Sequence, residues 1–157
     1  SDQARIDRVF ADMKDRFPAT AYAQQAGLLV AKQYVNLGQL ESAKAALAWV
    51  ADKSADTGYQ SIAKLRLAAI LLEGKKFDDA LKQLNGSFPT GFEALVADRK
   101  GDVLLMKGDK AQAVTEYEKA YRLLDARSDY RRLVEVKLNA QGVDVSGPGT
   151  PAAVVGK

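Results

Sequence analysis

A chain of 157 residues, 47% apolar and 27% charged, has the composition of one soluble globular domain, and it is long enough to bury a core without metal or disulfides. It contains neither cysteine nor histidine, which removes zinc sites and thiol or imidazole nucleophile–base pairs and leaves an enzyme only carboxylate, lysine, tyrosine or oxygen-ligated metal chemistry. Its 23 basic and 20 acidic residues are interleaved, and a net charge of +3 spread this way makes a poor nucleic-acid-binding face.

Ile6, Val9, Phe10, Met13 and Phe17 form a stripe at helical spacing, predicting a helix over 3–17 that ends before Pro18. From Thr20 onward the periodicity stays helical, with breaks at 36–38, 55–59, 74, 85–91 and 107–108, and no strand pattern competes. A last helix over 128–140 takes Ser128 or Asp129 as its N-cap, and Tyr130, Leu133, Val134 and Leu138 give it an apolar side. From Gly142 the composition turns to Gly, Pro, Ser and Ala, so residues 142–157 are expected to be a disordered tail. No stretch approaches the ~18 consecutive apolar residues of a membrane span, and the N-terminus lacks a signal pattern. Because the chain opens at Ser1 without Met, further sequence is expected upstream.

Regular breaks in a helical chain call for a test of self-similarity. Ala31, Tyr34, Gly38, Ala43, Leu47 and Val50 are separated by 3, 4, 5, 4 and 3 residues, and Gly101, Leu104, Gly108, Ala113, Tyr117 and Ala120 repeat every step. Each term has a physical role. A small residue on the first helix admits the second, a larger one fills the next turn, a glycine permits a left-handed link, and an alanine accepts the close crossing. Ala68, Leu71, Ala80 and Leu84 supply a middle copy in which Lys75 stands where the link glycine belongs. The anchors Ala43, Ala80 and Ala113 lie 37 and 33 residues apart, bracketing the ~34-residue tetratricopeptide period. The expected fold is all-α, a tetratricopeptide repeat (TPR)-like α-α superhelix of about three helical hairpins in a domain over 1–141. Its parts are an extra helix 3–17, repeats near 20–55, 59–88 and 92–126, and a capping helix 128–140 that covers the last apolar face.

Chemistry is sparse. Ser61 and Lys64 match a Ser-x-x-Lys motif with no companion motif, and the bland reading of a helical serine and a solvated lysine is preferred. Asp98 and Asp102 share a helix face and could attract a hard cation or a basic peptide, though a solvated acidic edge is the simpler reading. Arg122, Arg127, Arg131, Arg132 and Lys137 read as an exposed helix surface with intrahelical ion pairs rather than a phosphate site. No catalytic residue, cofactor or metal is therefore assigned. The repeat offers instead a groove on its first helices, opposite the anchors. Gln25, Leu28, Lys32, Val35 and Asn36 would come from copy one, Ile62, Leu65, Ala69 and Leu72 from copy two, and Leu95, Asp98, Asp102 and Leu105 from copy three. Only Lys32 and Arg99 approach the basic pattern of a carboxylate clamp, which disfavours that type of groove. Some of the leucines could equally be covered by the N-terminal helix.

Three stretches, Tyr22–Leu47, Leu65–Leu84 and most specifically Val96–Met106 running into Lys107-Gly108-Asp109-Lys110, together with Val136–Asn139, resemble the YfgM-like ancillary subunits of the bacterial SecYEG translocon. That resemblance implies a non-catalytic TPR domain on the periplasmic side of the inner membrane, tethered by a single anchor upstream of Ser1. The partners it implies are proteins: translocon subunits, periplasmic chaperones or client polypeptides. A self-associating assembly scaffold unrelated to the translocon is the alternative, favoured if Ile6, Val9 and Phe10 are exposed.

Overall fold

The computed structural model describes residues 1–145, which form eight α-helices and one 3-10 turn and, among the described residues, no strand. The helices fall into two compact units, residues 1–76 and the chain from residue 77 onward.

In the first unit α1 spans Asp2–Arg16, α2 Ala21–Asn36, α3 Leu40–Lys53 and α4 Thr57–Glu73. Short polar side chains start three of them by accepting orphan backbone N–H groups: Ser1 from Ala4, Thr20 from Ala23 at 3.2 Å and Asp56 from Tyr59 at 3.0 Å. The predicted helix 3–17 is thus shifted by one residue at each end. Leu28, Ala31 and Tyr34 of α2 meet Ala43, Ala46, Leu47 and Val50 of α3 in the core, joined by Ala63 and Leu67 of α4 and Phe10 of α1. Phe10 stands edge-on to Trp49, with ring centroids 5.6 Å apart, and this contact ties α1 to the α2–α3 pair. Gly27 makes the close approach possible, because a Cβ there would lie 2.6 Å from Val50 Cγ2.

In the second unit α5 spans Phe77–Leu84, a 3-10 turn Thr90–Phe92, α6 Glu93–Lys107, α7 Lys110–Leu123 and α8 Asp129–Ala140. The α6–α7 hairpin follows the same grammar as α2–α3. Asp109 caps α7 by accepting from Gln112 N at 3.1 Å. Gly101 faces the Tyr117 ring so closely that a Cβ would sit 2.4 Å from Cε1. The core gathers Ala97, Leu104, Ala113, Tyr117, Ala120 and Tyr121 with Val134 and Leu138 of α8. The three anchor alanines, Ala43, Ala80 and Ala113, have no accessible surface, as an inter-helix seam requires.

The turns that follow α2, α4 and α6 are built alike. Gly38, Lys75 and Gly108 are left-handed, with φ of 72°, 58° and 99°. The next residue's N–H reaches back to the helix in each case: Gln39 to Tyr34 O at 2.8 Å, Lys76 to Leu71 O at 2.8 Å and Asp109 to Leu104 O at 2.9 Å. Lys75 therefore holds a conformation that glycine adopts without steric cost, and the bonds around it enforce that conformation. A fourth such cap ends α8. Gly142 has φ 83°, Val143 N–H donates to Leu138 O at 3.0 Å, and Val145 is buried with the second core. Residues 142–145, expected to begin a disordered tail, are thus packed onto the unit, and residues 146–157 lie outside the described residues.

Substituting Gly101→Ala should lower unfolding stability in urea by about 1–3 kcal/mol. The added methyl meets a ring whose hydroxyl is also fixed, at 2.7 Å from Asp102 Oδ1, and that clash outweighs the ~0.5–1 kcal/mol that alanine normally gains over glycine in a helix. Gly91→Ala, which meets nothing within 4 Å, should change stability little.

Candidate functional site

The first unit holds an open groove of about 400 Å³ framed by α2, α3 and α4. Ala31, Val35, Leu40, Leu47, Ala69 and Ile70 give it an apolar lining, with the charged Lys32, Arg66 and Glu73 beside them. Of the residues expected from sequence, Lys32, Val35 and Ala69 are brought together here. Gln25, Asn36, Ile62, Leu65 and Leu72 do not line it. Gln25 is exposed and its amide donates to Tyr59 OH, Asn36 is exposed, and Ile62, Leu65 and Leu72 are half-buried. Leu28, expected in the groove, is instead a core residue only 8% exposed, because α2 turns that side toward α3 and α1. The face of α4 that lines the groove is Arg66, Ala69, Ile70 and Glu73, one residue round from the expected stripe. Ala31, Leu40, Leu47, Arg66, Ile70 and Glu73 also line the groove and were not expected there; for Arg66 and Glu73 the seven-residue spacing around Ala69 and Ile70 is the signal the sequence carries.

Asp98, Asp102 and Leu105 belong to the second unit and do not form an open surface there. Leu105 is half-buried against the core. Asp98 has no exposed surface at all, which corrects the expectation that it faces a partner or a solvated edge. Lys137 of α8 reaches across to α6, its Nζ 2.8 Å from Asp98 Oδ1 and 2.9 Å and 3.1 Å from the two Asp102 oxygens. Tyr130 donates its hydroxyl to Asp98 Oδ2, Tyr117 donates to Asp102 Oδ1 at 2.7 Å, and Arg99 Nη1 lies 3.4 Å from Asp102 Oδ2. An ammonium group thus occupies the place where a hard cation was considered, and every carboxylate oxygen of the pair has a donor. Lys137 and Arg131 also depart from the expected intrahelical pairing, since Arg131 stacks 3.8 Å from the Tyr121 ring centre and donates to Tyr121 O. Arg99 is likewise engaged, and the structure brings no clamp of paired basic residues around it. Among the described residues no group of three or more acidic side chains is placed to hold a metal ion.

Burial is the first cause that raises the phenols of Tyr34, Tyr117 and Tyr130, followed by hydrogen bonds to Asp7, Asp102 and Asp98 respectively. Tyr34 is pushed up to about 12. These tyrosines donate to carboxylates and hold helices together; they are not poised as bases at neutral pH.

Small-residue seams, left-handed links and an open, largely apolar groove define a helical-repeat protein of the interaction class. A family model described as a tetratricopeptide repeat-like domain matches residues 1–143, and the chain belongs to that family. It is similar to the ancillary SecYEG translocon subunit of Neisseria gonorrhoeae (28% identity, covering 88% of this chain and 66% of that one). It is similar also to those of Escherichia coli K12 (33%; 75% and 57%) and Haemophilus influenzae (32%; 76% and 58%). The chain therefore spans less than two thirds of the length of these curated relatives. No solved structure matches it significantly.

Two outcomes follow for the polar cluster. Lys137→Met should cost about 2–3 kcal/mol, below the range for fully buried pairs because the Lys137 side chain is 33% exposed, and adding Asp98→Asn and Asp102→Asn should recover most of the loss; urea melts of the single and triple variants measure both. A free phenol ionises near 10.0, whereas Tyr34 keeps its proton to about 12 and the other two are raised as well. Their stabilisation is complete below pH 10 and drains away above it, by about 1.4 kcal/mol per pH unit for each tyrosine. Tyr34→Phe should flatten the alkaline fall in stability by that amount.

Proposed function

We propose that this chain is the protein-binding domain of an ancillary subunit of the bacterial translocon, without catalytic activity, working on the periplasmic side of the inner membrane. Its partners in this reading are translocon subunits, periplasmic chaperones or emerging client chains. The observation that carries it is the open apolar groove of the first unit, in a repeat family used for protein contacts, combined with relatives that share the translocon name. No described helix is long and apolar enough to cross a membrane, so membrane attachment in this reading belongs to the upstream segment that the family resemblance implies.

A photo-cross-linking residue at Val35 or Ala69 of the full-length protein, activated in intact cells, should give adducts with translocon subunits or periplasmic chaperones. Adducts with cytosolic proteins alone would eliminate the periplasmic reading.

Self-association is a second reading, favoured by one feature. Val9, Leu29 and Leu37 are 52%, 60% and 44% exposed and line a second opening of about 430 Å³ between α1 and α2. Phe10, offered for that role, is buried, and Ile6 is half-buried. A monomer in sedimentation at the highest soluble concentration would remove this reading.

A further inference from the structure

The groove of the first unit carries a charge pattern that its architecture does not need. The helices on its two sides, α2 and α4, place Lys32 and Arg66 on its lining against a single carboxylate, Glu73. Elsewhere in the unit Arg16, Lys44 and Lys53 have acidic partners. Among the described residues Lys32, Arg66 and Glu73 have neither a hydrogen bond nor an ion pair, and all three are exposed beside the groove. Unpaired charges around an apolar cleft spend no desolvation energy in the free protein and are available to steer and orient a complementary chain.

The geometry goes further than sign. Arg66 and Glu73 are seven residues apart on one helix, a rise of about 10.5 Å at 1.5 Å per residue. In an extended peptide of polyproline II form, with three residues per turn and about 3.1 Å rise, side chains three residues apart return to the same face about 9 Å apart. Between the two charges the lining is Val35, Leu40, Ala69 and Ile70, and the space, about 400 Å³, is at the small end of ligand-sized clefts. It suits two aliphatic side chains rather than a helix.

We propose that this groove binds an extended, polyproline II-like segment of another protein with the order acid, apolar, apolar, base. The acidic side chain lies between Lys32 and Arg66, the two apolar side chains fill the lining, and the basic side chain meets Glu73. The acid is an internal Asp or Glu side chain. A free chain terminus would satisfy the basic end but leave Glu73 facing no cation. This inference rests on the protein-binding reading above and names the sequence class of the partner.

The test uses the 157-residue chain and dye-labelled peptides blocked at both ends, built around Glu-Leu-Val-Lys. Fluorescence anisotropy should show saturable binding that weakens at least about tenfold when the peptide Glu becomes Gln and that falls with added salt. Arg66→Glu and Lys32→Glu, both at exposed positions and checked for unchanged helicity by circular dichroism, should each abolish it. Glu73→Lys should switch preference to a peptide ending in Glu in place of Lys. Equal binding of a peptide whose only acid is a free C-terminal carboxylate, or binding indifferent to Arg66→Glu, would overturn the proposal. If these peptides fail while the cross-linking residue at Val35 or Ala69 still captures translocon subunits, the charge-order inference falls and the protein-binding reading stands. Failure of both would remove the two together.

Discussion

The absence of one carbon atom decides how closely these helices can pair. At Gly101 the Tyr117 ring occupies the volume a Cβ would need, and at Gly27 a Val50 methyl does the same. Backbones that approach this closely put large side chains from one helix into the territory of the other, so that Leu47 and Tyr117 are each only 1% exposed although their helices are thin and Ala-rich. The buried alanines Ala43, Ala80 and Ala113 extend the same constraint through the chain. Without these seams the α2–α3 and α6–α7 hairpins would separate by at least a methyl radius, the apolar faces would be left incompletely covered, and the left-handed links at Gly38 and Gly108 would join helices at the wrong distance.

Such constraints are legible in a sequence because they are local and repeat. The 3, 4, 5, 4, 3 spacing identified both complete hairpins, and it marked Lys75 as the position forced into a glycine conformation. Rotation about a helix axis is a different matter. On α4 the expected stripe ran through Leu65 and Leu72, whereas the groove is lined one residue away by Arg66 and Glu73, because the side of a helix that stays open depends on what neighbouring helices cover. Leu28 shows the same limit, since nothing in α2 alone says that α3 and α1 bury it. Asp98 was misread for a related reason: a carboxylate looks solvated until its partner, Lys137, is known to lie across a helix pair 39 residues later. The cap at Gly142 is written in the same spacing, since Leu138, Gly142 and Val143 repeat that of Leu104, Gly108 and Asp109, although the glycine-rich composition beyond it is that of a disordered tail.

Equivalent positions of the first and third copies have opposite fates, and the difference bears on function. Lys32 and Asp102 each fall one residue after the small seam residue, Ala31 or Gly101. In the first unit Lys32 is left unpaired beside an open groove. In the second, Asp102 is bound by Lys137, Tyr117 and Arg99, and the face it stands on is used to fasten α8. A single repeat grammar therefore yields a surface free for a partner in one unit and an internal joint in the other, the choice being made by which charged residue stands at that position and whether a later helix brings its counterion.

The same comparison explains why the acidic pair is structural and not catalytic. A general base or metal site needs lone pairs that the folded protein leaves unused and a proton affinity matched to neutral pH. Asp98 and Asp102 direct theirs at an ammonium, a guanidinium and two phenols, and burial together with these carboxylates moves the two phenols' proton affinity upward, away from neutrality. In the second unit the Asp98, Asp102 and Lys137 charges are used to make α8 part of the core. In the first unit Lys32, Arg66 and Glu73 have no such employment. Exposed charges that contribute nothing to holding their own fold are the ones free to recognise another chain, which is why the groove and not the acidic pair carries the functional reading.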